Sequence, residues 1–143
     1  MNIKGLVIKM YEKILVVDDE IQIRDTNLES VMQIFINILD NSIKYNKPNG
    51  EIFVSNYIDD VNISVVIRDT GIGIPFGSKD KIFEPFYRVD KELSRQTGGI
   101  GLGLALVKKL VEMQNGTIEL LDIEEKGTAI KISFPIYFKS LQF

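Results

Sequence analysis

Residues 61–75, VNISVVIRDTGIGIP, run from a strand into a turn, and the residue at the junction is an acid. VNISVVIRD is rich in β-branched residues and partly alternates, which predicts a half-buried strand. DTGIGIP (69–75) then places two glycines one residue apart, with apolar residues between them and a proline at the end. Gly71 and Gly73 permit positive φ and let a flat ligand come close to the backbone. Asp69, at the strand end, can accept a hydrogen bond from the amine of a bound base, and a charge-assisted bond of this kind discriminates well. A plain turn with an Asp cap fits the same seven residues, so the surrounding chain decides.

Upstream, EIFVSNY (51–57) and VNISVVIRD read as a hairpin, with IDD between them. Before it, Val31, Ile34, Phe35, Ile38, Leu39, Ser42 and Ile43 recur at helical spacing and predict a helix that ends near Tyr45, ahead of the turn cluster NKPNG. Asn37 and Asn41 are four apart on it and share a face, Lys44 lies one turn beyond Asn41, and Tyr45 stands beside Lys44. Two amides, a cation and a phenol on an otherwise apolar helix are costly to bury without partners. An amide oxygen suits a hard cation such as Mg²⁺, and lysine offers phosphates a point charge; a solvated polar face is the simpler alternative. Residues 18–30 read as polar and turn-like, and GLVIKM (5–10) and KILVV (13–17) as short strands.

Downstream, residues 70–100 carry glycine and charge with little periodicity, a length that in a compact domain is usually functional or mobile. GGIGLGL (98–104) does not fit a dinucleotide fingerprint, because Leu104 takes the last glycine place, and it lacks the lysine of a P-loop. It fits better as a flexible lid entering a helix N-terminus, where free N–H groups favour phosphate, although a glycine-rich surface loop is also compatible. LGLALVKKLVEMQ (102–114) is a second amphipathic helix, stopped by Asn115-Gly116, and TIELLDI and TAIKISFPI form a second hairpin. The expected fold is α+β: a two-layer sandwich with a mixed, mostly antiparallel sheet covered on one face by about three helices.

With 143 residues, one domain with a real core is expected. A net charge of −3 argues against a sequence-independent grip on nucleic acid. Without cysteine or histidine there is no disulfide, thiolate site or imidazole base. No apolar run reaches the length of a membrane span and no signal-peptide core opens the chain, so direct membrane insertion is not expected and the default compartment is the cytoplasm.

NILDNSIKY (37–45), DTGIGIP, IFEPFYRVD (82–90) and GGIGLGLALVKKLVEMQNGTI (98–118) resemble, in order, the N, G1, F and G2 boxes of bacterial sensor histidine kinases. KGTAIKISFP (126–135) resembles the last strand pair of their catalytic ATP-binding domain, whose Bergerat-type fold is shared with gyrase B, Hsp90 and MutL. The resemblance implies ATP and Mg²⁺ as ligands. It assigns the metal to Asn41, the metal or phosphates to Asn37, and phosphate and adenine contacts to Lys44 and Tyr45. It gives the adenine amine to Asp69, places Gly71, Gly73, Ile74, Leu102 and Thr128 in the nucleotide pocket, and puts Arg88 on the segment that engages nucleotide and phosphoacceptor domain. Arg95 becomes a lid cation, and Gly99, Gly101 and Gly103 the lid hinge with its phosphate-facing N–H groups. The implied partners are a histidine-bearing dimerisation domain and, indirectly, a response regulator.

The chain departs from the family in two places. It has no histidine to accept phosphate and no helical hairpin upstream, so a complete kinase is not expected; MQNGT (113–117) stands where the family often has His-Gly-Gly. The expected division is 1–27, a strand pair and turn, followed by 28–143, the catalytic domain. EKILVVDDE (12–20) resembles the start of a response-regulator receiver, so a fused or remnant receiver is the alternative to a turn holding Asp18 and Asp19. A stand-alone serine kinase of the anti-sigma-factor type shares the fold, but IFEPFYRVD argues against it. A gyrase- or Hsp90-type ATPase carries a glutamate base where this chain has Asn37, and an interaction module without nucleotide does not need intact boxes.

Overall fold

A computed structural model describes residues 21–23, 27–89 and 103–138. The strands expected at 5–10 and 13–17, the Asp18-Asp19 turn, and Arg95, Gly99, Gly101 and Leu102 lie outside the described residues. The elements run β1 (Ile21–Ile23), α1 (Leu28–Lys44), β2 (Ile52–Ile58), β3 (Asn62–Asp69), a 3-10 turn (Phe76–Ser78), α2 (Gly103–Met113), β4 (Thr117–Leu121) and β5 (Thr128–Phe138).

β5 is the hub of the sheet. Its order is β1-β5-β3-β2, with β4 also paired to β5, and every pairing among the described residues is antiparallel. The β3–β5 register sets Ile63 against Phe134, Val65 against Ile132 and Ile67 against Ile130, so one face of the sheet is lined with large apolar side chains. Val31, Ile34, Phe35, Ile38 and Leu39 of α1 and Val107 and Val111 of α2 pack on that face and complete the core. The opposite face holds Phe53, Tyr57, Arg68 and Lys131, with the Arg68 guanidinium 4.6 Å from the Phe53 ring centre and the Lys131 ammonium 5.5 Å from that of Tyr57. The two-layer α/β sandwich expected from the sequence is therefore the observed one.

Both hairpins form as read, and Asp59 fixes the first turn by accepting from Val61 N at 2.8 Å and Asn62 N at 2.7 Å. The reading of 18–30 as a turn differs from the structure, which has strand β1 there and starts α1 three residues before Val31. The cause is Asn27: its side-chain oxygen accepts from Glu29 N at 2.9 Å and Ser30 N at 3.3 Å, a cap worth about 1 kcal/mol. Periodicity misses the first turn because Leu28 and Glu29 are exposed.

The same cap ties the two helices together. Asn27 N donates to Gln114 Oε1 at 3.2 Å, and Gln114 Nε2 donates back to Leu110 O at 3.2 Å, so the buried Gln114 amide joins the start of α1 to the end of α2. Asn115 takes φ 58°, the left-handed conformation a helix terminator needs, and Gly116 N bonds Val111 O at 2.9 Å. Asn115 can supply this helix stop because asparagine tolerates that conformation better than other side-chain-bearing residues.

Candidate functional site

Asp69 is the last residue of β3, set between Ile52 of β2 and Thr128 of β5, and it shares a face with Ile63, Val65 and Ile67. That register turns its side chain toward the helices, and only 7% of the residue is exposed. Its Oδ1 accepts from Gly71 N at 2.8 Å and Thr128 N at 3.2 Å. Burial pushes the Asp69 carboxyl above its usual range, while the Gly71 and Thr128 N–H groups and the Ser42 hydroxyl of α1 pull the other way. A carboxylate offers about four lone-pair sites. The two backbone N–H bonds, both on Oδ1, leave it able to accept from a ligand.

The turn after Asp69 is held from both sides. Gly127, at φ 141°, lies so close to the Asp69 carbonyl that a Cβ there would overlap it, and a Cβ on Gly73, at φ 76°, would stand 3.1 Å from the Gly127 carbonyl oxygen. On the other side Ile72 N donates to Tyr45 O at 3.1 Å, and Gly71 packs against the same carbonyl. Ion pairs from Lys79 to Asp122 and from Arg68 to Glu125 (3.1 Å) fasten the β4–β5 loop to this segment. Ile74 is half-buried at the end of the turn, and Phe76 beyond it is exposed.

Asn37, Asn41 and Lys44 line one flank of α1. Asn37 Oδ1 accepts from Gln33 Nε2 at 3.3 Å, and its Nδ2 is buried with no partner among the described residues. An orphaned buried donor costs roughly 1–3 kcal/mol, a cost that an acceptor on a ligand would remove. Asn41 Nδ2 lies 3.7 Å from where a Cβ on Gly103 would sit, so this flank meets the first residue of α2. Lys44 pairs with Asp40 at 2.8 Å on the surface, and Tyr45, the C-terminal cap of α1, is half-buried and donates its N–H to Asn41 O at 3.0 Å.

The structure therefore joins Asp69, Gly71 and Thr128 directly, Gly73 through Gly127, Tyr45 through its carbonyl, and Asn41 to Gly103. Arg88 is half-buried on the segment after the 3-10 turn, apart from these contacts. The sequence reading took Ser42 only as a position in the helical repeat and passed over Gln33, Asn46, Thr70 and Gly127. A serine at a core position and a glycine just before a strand were the available signals for two of them. No group of three acidic, histidine or cysteine side chains able to hold a metal occurs among the described residues. A hard cation here would find amide oxygen, a ligand type it accepts, rather than a carboxylate cluster.

The chain is thus a two-layer sandwich with a buried strand-end carboxylate, a glycine turn beneath it and an amide-bearing helix beside it. Residues 26–137 match the histidine kinase-, DNA gyrase B-, and HSP90-like ATPase family, and the chain belongs to that family. Within it the similarity is to sensor histidine kinases. The sensor protein CiaH of Streptococcus pneumoniae is 41% identical over 104 residues, covering 73% of this chain and 23% of CiaH. The solved structure of the mycobacterial sensor histidine kinase MprB is 31% identical with a TM-score of 0.69, over 80% of this chain and 78% of that one. Full-length ShkA in complex with AMPPNP is 25% identical with a TM-score of 0.63, over 77% of this chain and 22% of that one. The chain thus spans about a quarter of the length of the curated sensor protein it matches. No described helix is long and apolar enough to cross a membrane.

Proposed function

We propose that this chain is the ATP-binding catalytic domain of a two-component sensor histidine kinase, which passes the γ-phosphate of ATP to a histidine on a separate dimerisation domain. The observation that carries the proposal is the buried Asp69 carboxylate, held by Gly71 N and Thr128 N with acceptor capacity left over. Adenine, through its amine, is the ligand that Asp69 would select, with Gly71, Gly73 and Ile74 against the ring and Thr128 and Tyr45 at its edges. ShkA, a structural neighbour, is solved in complex with AMPPNP, which supports an adenine nucleotide as the ligand.

The phosphates would then extend along α1. Lys44 and the orphaned Asn37 amide face them, and Asn41 offers its oxygen to Mg²⁺; Gly103 and the preceding Gly99, Gly101 and Leu102 supply backbone N–H groups, with Arg95 and Arg88 as further cations. Mg²⁺ would neutralise charge on the transferring phosphate. The chain's own residues bind, orient and exclude water, while the nucleophile comes from the partner's imidazole. A response regulator would receive the phosphate next, and the consumption of ATP places the domain on the cytoplasmic side of any anchored parent.

Calorimetry with Mg-ATP tests the reading. Asp69→Asn exchanges an acceptor oxygen for a donor facing the adenine amine, and mispairing of this kind costs roughly 1–3 kcal/mol. The expected result is firm binding by the wild-type chain and roughly tenfold or greater weakening in the variant. Equal affinities would remove Asp69 from the site.

A further inference from the structure

The two halves of the site sit on different elements: the amides and Lys44 on α1, and Asp69 at the end of β3. A small polar clip spans the gap. Asn46, one residue past the α1 cap, accepts a hydrogen bond on Oδ1 from Thr70 Oγ1 at 3.0 Å and another from Lys47 N at 2.9 Å. Its Nδ2 donates to Glu51 O at 3.1 Å. Thr70 Oγ1 accepts in turn from Glu51 N at 2.8 Å, and Thr70 N donates to Glu51 O at 3.2 Å. A Cβ on Gly50 would overlap the Asn46 amide, so the loop is shaped around that side chain.

Thr70 lies between Asp69 and Gly71, the residue whose N–H holds the Asp69 carboxylate. Its hydroxyl is both donor and acceptor within the clip, so its position is fixed from two directions. Asn46 follows Tyr45, whose carbonyl holds Ile72. The geometry points to Asn46 and Thr70 as positioning residues that set the Asp69 carboxylate against the base in register with the phosphate-facing end of α1. Neither touches the nucleotide; both act through Asp69 and Gly71. The inference rests on the adenine-binding reading above and deepens it. It also makes a claim that reading does not: discrimination for the base amine depends on a hydroxyl–amide contact outside the pocket.

The test compares ATP with purine riboside triphosphate, which lacks the amine, by calorimetry on the whole chain, with thermal midpoints to show that each variant is folded. Wild type should prefer ATP by roughly tenfold or more. Thr70→Val keeps the shape and deletes the hydroxyl; its preference should fall to about twofold or less, whereas Thr70→Ser should retain the wild-type ratio. Asn46→Ala removes the same contact from the helix side and carries the same expectation should Thr70→Val not fold. The base preference of the double variant should be no lower than that of either single one, because the Asn46–Thr70 contact that sets it is lost in all three. A preference that survives Thr70→Val and Asn46→Ala, or equal weakening of both nucleotides with the ratio intact, overturns the inference alone. A wild-type chain that binds both nucleotides equally overturns the adenine role of Asp69 and this inference with it.

Discussion

Asp69 is ionised at a cost in the folded chain, because burial outweighs the three donors that favour its charge. The consequence for stability has a definite sign. In the unfolded chain the carboxyl titrates near 3.8, and in the folded chain above that value. Between the two, the folded state keeps a proton the unfolded state has lost, so stability falls as pH rises through that window and stays reduced above the folded pKa. Asp69→Asn abolishes the titration while keeping an amide oxygen for Gly71 and Thr128. Subtracting the variant's urea-midpoint profile from the wild-type profile should leave a difference that declines with rising pH from about 3.8. Asp59, held below its usual range by Val61 and Asn62, acts in the opposite direction, but it is common to both proteins and cancels. A flat or rising difference would show that burial does not dominate at Asp69. The residue thus trades stability of the fold for a buried acceptor.

At the scale of elements, the candidate site is carried by α1 and by the end of β3, against which the β4–β5 loop packs; α1 hangs on Asn27 and that loop on Gly127. Asn27→Ala removes the cap of α1 and should cost about 1 kcal/mol, read as a lower denaturant midpoint with an unchanged slope. Gly127→Ala should cost more, because a Cβ there overlaps the Asp69 carbonyl and the residue stands at φ 141°; the expected loss is roughly 1–3 kcal/mol of stability, with ATP binding weakened as well. A Gly127→Ala protein as stable as wild type would mean that the loop before β5 shifts freely. Such particulars explain what the sequence made legible. The periodic run showed α1 because Val31, Ile34, Phe35, Ile38 and Leu39 meet the core, although Ile43 at its end is exposed, and Ile63, Val65 and Ile67 showed β3 for the same reason. Asn27 as cap, the Gln114 bridge and the Asn46–Thr70 clip were not legible: each is a polar residue in a polar stretch, and only the fold brings its distant partner within hydrogen-bond reach. Asn37 and Asn41 stood out because amides on an apolar helix break its pattern.

At the scale of the whole molecule, the four boxes in order marked a histidine-kinase-type catalytic domain, and the family together with the similarity to sensor histidine kinases bears this out. The same architecture serves ATPases, and the two chemistries part at one position on α1. Hydrolysis needs a water held and deprotonated; phosphoryl transfer to a histidine needs the acceptor in line and the phosphate charge neutralised. Asn37 presents a buried amide N–H₂ and gives its oxygen to Gln33, so it can donate to an acceptor but cannot take a proton from water. The chain also contains no histidine of its own to phosphorylate. The isolated chain should therefore bind ATP yet release phosphate far more slowly than the roughly 1 s⁻¹ of a slow ordinary enzyme, and acquire no acid-labile phosphate from labelled ATP. Adding a histidine-bearing dimerisation domain from a related sensor kinase should bring label onto that domain, without a matching rise in free phosphate. Asn37→Glu places a base where water would sit; it should raise phosphate release modestly and leave transfer no faster than in wild type. Fast phosphate release by the isolated wild-type chain would instead assign it to the ATPases, since a site that deprotonates water efficiently has no need of an imidazole from a partner.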